Sequence, residues 1–399
     1  MVTRKKVLVF IPEFPVLTET FIERELSKLV ERDNIDLVVV SLKKGRGSLS
    51  ENLKDSVYYK RLGVLNIPGV LIYVLTHLRS ILIVSRELDF GLTSKFYLLF
   101  KSVGYSKIFS SFKPDIILTH FMSEPSTIAM IASRIVGIPF AVSGHARDIT
   151  VTCEYAAQKA KFSKFITICN KSAFYFFSNL IGENNSSNVY LSYHGIDVEK
   201  IVNSVPGIFK KADKPVIIGV GRLTEKKGFK YLIDASKELK DRGLDFYTCI
   251  IGSGPLYGEL KSQIKDLGLG DLVKIVGDNK GISNSEVLTY LRSSDAFVLP
   301  SIQTEEGDVD GVANVLLEAG AFKLPIVATD AGSTTEVILN EKTGLEVNQR
   351  DSKAIANSIE RLLNDKDLCL KLGQNLYIKI QENFNLDKNI EKLEGLLIR

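Results

Sequence analysis

Between Ser301 and Thr335 the chain reads SIQTEEGDVDGVANVLLEAGAFKLPIVATDAGSTT. The runs Ala296–Pro300 before it and PIVAT within it are short, apolar and continuous, the pattern of strands buried on both faces. Between them lie an acidic loop and a helical pattern starting near Gly311. Two buried parallel strands joined through a helix form a βαβ unit, whose loops stand where open α/β sheets bind ligands. Asp310 sits just outside the predicted helix and Glu318 about two turns in, so both carboxylates can face one pocket. The N–H groups of Asn314, Val315 and Leu316 lack intrahelical partners and favour an anion. Carboxylates for hydroxyl groups beside a cradle for phosphate suit a nucleotide-sugar. The plainer reading of Asp310 is a cap on the helix beginning at Gly311.

A chain of 399 residues with 45% hydrophobic content fits two or three domains with sizeable cores. Strand and helix patterns alternate twice. The first set runs through strands at Lys6–Pro12, Asp36–Leu42, Asp115–Thr119, Pro139–Ser143 and Phe165–Ile168, with His120 and His145 at strand ends. Thr20 and Glu23 spell a capping box for a helix over Phe21–Arg32. A linker is read at 203–214, and a second set begins at Pro215. The domains are therefore set at 1–205 and 206–384, each a doubly wound α/β sheet, with a cleft between them. An amphipathic helix over 385–399 follows the completed second set.

Net charge is +4, yet residues 40–110 hold eleven Lys and Arg against four Asp and Glu, together with many Tyr and Phe. That segment is read as irregular to helical, a solvated face over core or a surface for anionic lipid. The apolar run Ile67–Val84 is broken by His77 and Arg79, which argues against a membrane span. No signal peptide is visible, and the four cysteines lack disulfide or metal spacing, so a cytoplasmic, reducing setting is expected. No His/Cys/Asp cluster has metal spacing, and neither a Walker A motif nor a G-x-S-x-G elbow is present.

GVGRLTEKKG (219–228) places Arg222 at a strand end and Lys227 near a helix start, two cations around a glycine turn that suit a diphosphate. The alternative is an ordinary strand–turn–helix with solvated charges. IIGSGPL (251–257), with Gly254, is a weak phosphate signal or a plain tight turn. VKIVGD (273–278) offers backbone groups to a base edge or is one more core strand. His145, in SGHARDI, ends a strand where functional side chains collect; a structural histidine is the plainer reading.

Taken together, FPVLTETFI, DIILTHF, IPFAVSGHARDI, GVGRLTEKKGF, IIGSGPL and DGVANVLLEAGAFKLPIVATDAGSTTEVI resemble family 4 glycosyltransferases of the GT-B fold, of the kind found in bacterial polysaccharide assembly. The resemblance implies that Arg222 and Lys227 hold the donor diphosphate and that Glu318 binds the ribose. It implies that Asn314, Val315 and Leu316, with Gly254 and Gly311 beside them, line the phosphate and sugar. Asp310 would contact the transferred sugar, and His145 would sit by it on the N-terminal side. The helix over 385–399 would cross back to the N-terminal domain. Two departures stand out: Asp310 occupies a position where glutamate is common, and Gly332-Ser333 stands where Gly-Gly is common.

The resemblance further implies transfer from a nucleoside-diphosphate sugar to a glycan or lipid-linked acceptor with retention, without cofactor, catalytic metal or nucleic acid. The chain would work in the cytoplasm, at the inner membrane face if residues 40–110 meet anionic lipid. Two readings stay open beside it, a nucleotide-sugar epimerase on the same fold and a non-catalytic nucleotide-sugar-binding subunit.

Overall fold

The computed structural model describes residues 4–16, 19–60, 67–87, 92–182, 185–205 and 213–399. Most of the linker read at 203–214 lies outside them, as do Arg61, Asp89 and Phe90 of the basic segment. The chain forms two compact units, Met1–Gly195 with Leu386–Arg399, and Ile196–Asn385.

The first unit is built on strands β1 (Lys5–Phe14), β2 (Ile35–Lys44), β3 (Val57–Tyr59), β4 (Ile116–His120), β5 (Phe140–Gly144), β6 (Phe165–Ile168) and β7 (Val189–Leu191). They form one parallel sheet in the order β3-β2-β1-β4-β5-β6-β7. Alternate residues of β1 feed two cores. Leu8 and Phe10 pack with Phe109 and Ile131 on one face; Val7, Val9 and Ile11 pack with Ile22, Leu26 and Ile390 on the other. Both faces are thus covered by helices, as an all-parallel sheet requires.

The second unit uses β8 (Val216–Val220), β9 (Tyr247–Ile251), β10 (Val273–Val276), β11 (Ala296–Leu299), β12 (Ile326–Thr329) and β13 (Leu345–Val347), ordered β10-β9-β8-β11-β12-β13 and again parallel. In each sheet the direction of growth reverses once, between β1 and β4 and between β8 and β11. Crevices at such reversals lie beside the carboxyl ends of the strands.

Several local expectations are corrected. The capping box of Thr20 and Glu23 does not form. The helix runs Thr20–Leu29 with Glu19 as its uncapped start, and Glu23 instead accepts from the backbone and hydroxyl of Ser50. The helix after the acidic loop spans Asn314–Ala321, with Ala313 preceding it, so Asp310 is no helix cap. The basic segment holds two 21-residue helices, Ile67–Glu87 and Leu92–Phe112. The units divide at Gly195/Ile196 rather than at 205/206. Ile196 N–H donates to the Phe384 carbonyl, and Arg292 donates to the carbonyls of Val202 and Val205, which binds this stretch to the second unit.

Candidate functional site

Two loops meet at the β8/β11 reversal. The first leaves β8 at Gly221 and Arg222, makes a short turn over Glu225–Lys227, and enters the helix Phe229–Asp241 through Gly228. Gly228 has φ +62°, and a Cβ there would collide with the carbonyl of Pro300 at the end of β11. Only glycine lets the loops approach this closely. The second loop leaves β11, and Ile302 N–H donates to the Lys226 carbonyl at 2.8 Å, closing the two against each other.

Lys227 is the centre of this junction. Its stem lies across Gly221, where a Cβ would meet Lys227 Cδ and Cε at 3.2 Å. Its Nζ donates to Asp310 Oδ2 at 2.7 Å, and both side chains are 11% exposed. Ser301 Oγ donates to the same oxygen at 3.0 Å. Lys226 Nζ stands 3.7 Å from Asp310 Oδ1 and donates to Asp308 at 3.1 Å. Burial works to raise the Asp310 carboxyl, but Lys227, Lys226 and Ser301 outweigh it and hold it below its ordinary value. Lys226, Ser301 and Asp308 carried no signal in the sequence beyond the Lys-Lys pair and the acidic loop.

The Asp310 backbone is fixed from behind. Ser333 N–H donates to its carbonyl at 3.2 Å, and a Cβ on Gly332, at φ +58°, would strike that carbonyl. Glycine at 332 is therefore needed both for its conformation and for its lack of a side chain.

Arg222 is exposed at the carboxyl end of β8. Gly254 packs its backbone on Leu223, where a Cβ would stand 2.5 Å from the carbonyl oxygen, and its N–H donates to Asn279 Oδ1 at 2.7 Å. Gly311, Asn314 and Val315 are half-buried at the entry to the helix Asn314–Ala321. Leu316 is buried, and its N–H is already spent on the Ala313 carbonyl at 3.0 Å, which leaves Asn314 and Val315 as the helix-end donors. Glu318 is buried further along the same helix.

His145 belongs to the first unit, and these residues belong to the second. It follows β5 and is buried, with Nε2 3.3 Å from His120 Nδ1 and Nδ1 3.0 Å from His194 Nε2. Both ring nitrogens therefore face other histidines. Burial pushes His120 and His194 down to about 3 and His145 well below its usual value, so the three are neutral imidazoles.

Two parallel doubly wound sheets are the architecture of GT-B glycosyltransferases. A glycosyltransferase from Rickettsia africae ESF-5 superposes over 98% of each chain with a TM-score of 0.72 at 17% identity. Anabaena Alr3699/HepE, solved with UDP, gives 0.69 over 98% of this chain and 99% of that one, also at 17% identity. Residues 204–379 match the family described as glycosyl transferases group 1, which bears out the resemblance read from the motifs. The amylovoran biosynthesis glycosyltransferase AmsK of Erwinia amylovora is 34% identical over 183 residues, 46% of this chain and 44% of AmsK. The chain thus spans under half the length of that curated relative.

Proposed function

We propose that the chain transfers a hexosyl-type sugar from a nucleoside-diphosphate sugar to a glycan or lipid-linked acceptor, with retention of anomeric configuration. The observation that carries this reading is the junction at the β8/β11 reversal, where Lys227 is fixed by Asp310 beside the exposed Arg222. The binding of UDP by HepE and the place of AmsK in amylovoran biosynthesis support it.

In this reading Arg222, Lys227 and the N–H groups of Asn314 and Val315 meet the diphosphate, and Glu318 holds the ribose. Asp310 anchors Lys227 through Oδ2 and offers Oδ1 to a hydroxyl of the transferred sugar. The acceptor hydroxyl forms its bond to the anomeric carbon on the face from which the diphosphate leaves, and a leaving-group oxygen takes its proton. Preorganised cations and amides stabilise the charge that develops on the diphosphate. Those groups supply the counter-charge, so no divalent ion is required at the diphosphate.

The paired helices Ile67–Glu87 and Leu92–Phe112 fit a peripheral contact with anionic membrane, which suits a lipid-linked acceptor. No helix among the described residues is long and apolar enough to cross a membrane.

The test is calorimetric titration with nucleoside diphosphates. Arg222→Ala is expected to leave the fold intact and to weaken binding by about 1.5–3 kcal/mol, the range for hydrogen bonds to charged groups. Wild-type affinity is expected to be the same in chelator. An unchanged affinity for the alanine variant removes the clamp from the mechanism.

A further inference from the structure

The loops after β5, β6 and β7 carry His145, Cys169 and His194, and one ligand atom from each lies within 4.8 Å of the other two. The spacing in sequence hides this set, because each residue comes from a different strand end of one sheet. We infer that these three side chains form a binding site for a zinc ion in the first unit.

The donor set is two imidazoles and one thiol, which suits Zn²⁺ and is unsuited to Mg²⁺ or Ca²⁺, cations that take oxygen ligands. His145 Nδ1 and His194 Nε2 are 3.0 Å apart. Tetrahedral bonds of about 2.0–2.1 Å want roughly 3.3 Å between two nitrogens, so the rings need open by only a few tenths of an ångström. Asn170 Nδ2 lies 3.6 Å from Cys169 Sγ on the donor side. Water would complete the coordination, as in three-ligand zinc sites.

The groups behind the site are the second observation. A metal-bound histidine usually gives its other N–H to a hydrogen-bonded support that ends in a carboxylate or carbonyl. His145 Nε2 faces His120 Nδ1 at 3.3 Å, and His120 Nε2 faces Glu25 Oε1 at 3.6 Å. Those last two atoms are buried and have no hydrogen-bond partner in this structure. Burial also pushes the Glu25 carboxyl up to about 8, the mark of an acid lacking a counter-charge. A dication bound by the Cys169 thiolate, with Glu25 ionised behind His120, brings the cluster to electrical neutrality and aligns the orphaned pair. Phe21 stacks on His194 at 4.2 Å and covers His145 at 4.8 Å, with Phe121 at 4.7 Å on His145, so the walls are dry. Low-dielectric walls strengthen the metal–thiolate interaction.

The full chain, stripped with chelator and dialysed, is titrated first with Co²⁺ as a spectroscopic probe and then with Zn²⁺. One equivalent of Co²⁺ is expected to give a thiolate-to-metal absorption band in the near-ultraviolet, which Zn²⁺ displaces. Cys169→Ser should abolish the band, while Cys153→Ser should keep it. Glu25→Gln should keep the band and weaken Zn²⁺ binding about ten- to a hundredfold, the usual cost of losing an outer support. Absence of the band in the wild type overturns the site, whatever the variants do. So does a band that follows Cys153, or Zn²⁺ affinity unaltered in Cys169→Ser. Nucleoside-diphosphate affinity is read in the same samples, so a failure of this site is told apart from a failure of the transferase reading.

Discussion

Asp310 accepts from Lys227 and Ser301 and stands near Lys226, all within a largely buried junction. Removing the charge from one member of such a pair leaves the other buried without compensation, a loss of about 3–5 kcal/mol for fully buried pairs. Asp310→Asn is therefore expected to melt well below the wild type and to bind nucleoside diphosphate more weakly, because Lys227 is no longer held. A mere helix cap would tolerate asparagine almost silently. The pH dependence gives a second readout. The Asp310 carboxyl is lowered from 3.8, so the folded state binds its proton less readily than the unfolded chain does. Its stabilising contribution is complete above pH 3.8 and is lost as the pH falls through the lower folded value. Melting curves of wild type and asparagine variant should thus differ most above about pH 4 and draw together in stronger acid. Equal melting temperatures at pH 7 would show that the pair contributes nothing. Asp310→Glu keeps the charge and is expected to retain both pairing and activity.

At the scale of elements, the helix Ile67–Glu87 turns Tyr73, Val74, Ile81 and Val84 toward the core of the first unit. Its other side exposes Leu75, Leu78, Leu82 and Ile83, with Leu75 at 71%, alongside the exposed Arg79 and Arg86. Positions 75, 79, 82 and 86 repeat at helical spacing, so apolar and cationic groups share one stripe. The helix Leu92–Phe112 adds Phe96, 76% exposed, with Tyr97 and Phe100. An apolar stripe edged by arginine lies well in a headgroup layer, and each basic residue near anionic lipid is worth about 1 kcal/mol. Flotation with anionic vesicles at low salt is the expected outcome, with release at high salt and weaker capture for Leu75→Ser/Phe96→Ser. Failure to float at low salt would leave these helices without a membrane role. The composition of residues 40–110 revealed the charge and the aromatic content but not the hairpin of helices. Their apolar residues are spread around both faces, so no clean period marks a core side.

At the scale of the whole molecule, the parallel sheets were legible because continuous apolar runs recur with helices between them. The three-residue strands β3 and β13 escaped, being too short to show a period. The position of Arg222 at a strand end was legible from its glycine turn, and that of Asp310 from the loop ahead of a helical pattern, whereas the Lys227–Asp310 pair joins residues 83 positions apart and leaves no local trace. The histidine cluster escaped for the same reason. The closing helix, Leu386–Ile398, shows how sequence order and folding unit part company. It packs in the first unit, where Leu386, Ile390, Leu393 and Leu397 join Ile22, Leu26 and Val7 in one core. Lys28 and Arg32 reach Asp387 at 3.4 and 3.8 Å, and Arg32 reaches Glu394 at 3.6 Å, but these partly exposed pairs add little. The four apolar side chains dominate: at about 1.5–3 kcal/mol each, their burial is worth roughly 6–12 kcal/mol. That is comparable to the whole stability of a typical domain, about 5–15 kcal/mol. A chain ending at Asn385 should therefore lose the cooperative melting of the first unit. The second unit keeps its own core and the Ile196–Phe384 backbone bond, so it should still melt cooperatively and bind nucleoside diphosphate. Calorimetry of the truncated chain against the full one reads both transitions. If both survive, the helix is an accessory to the first core rather than part of it.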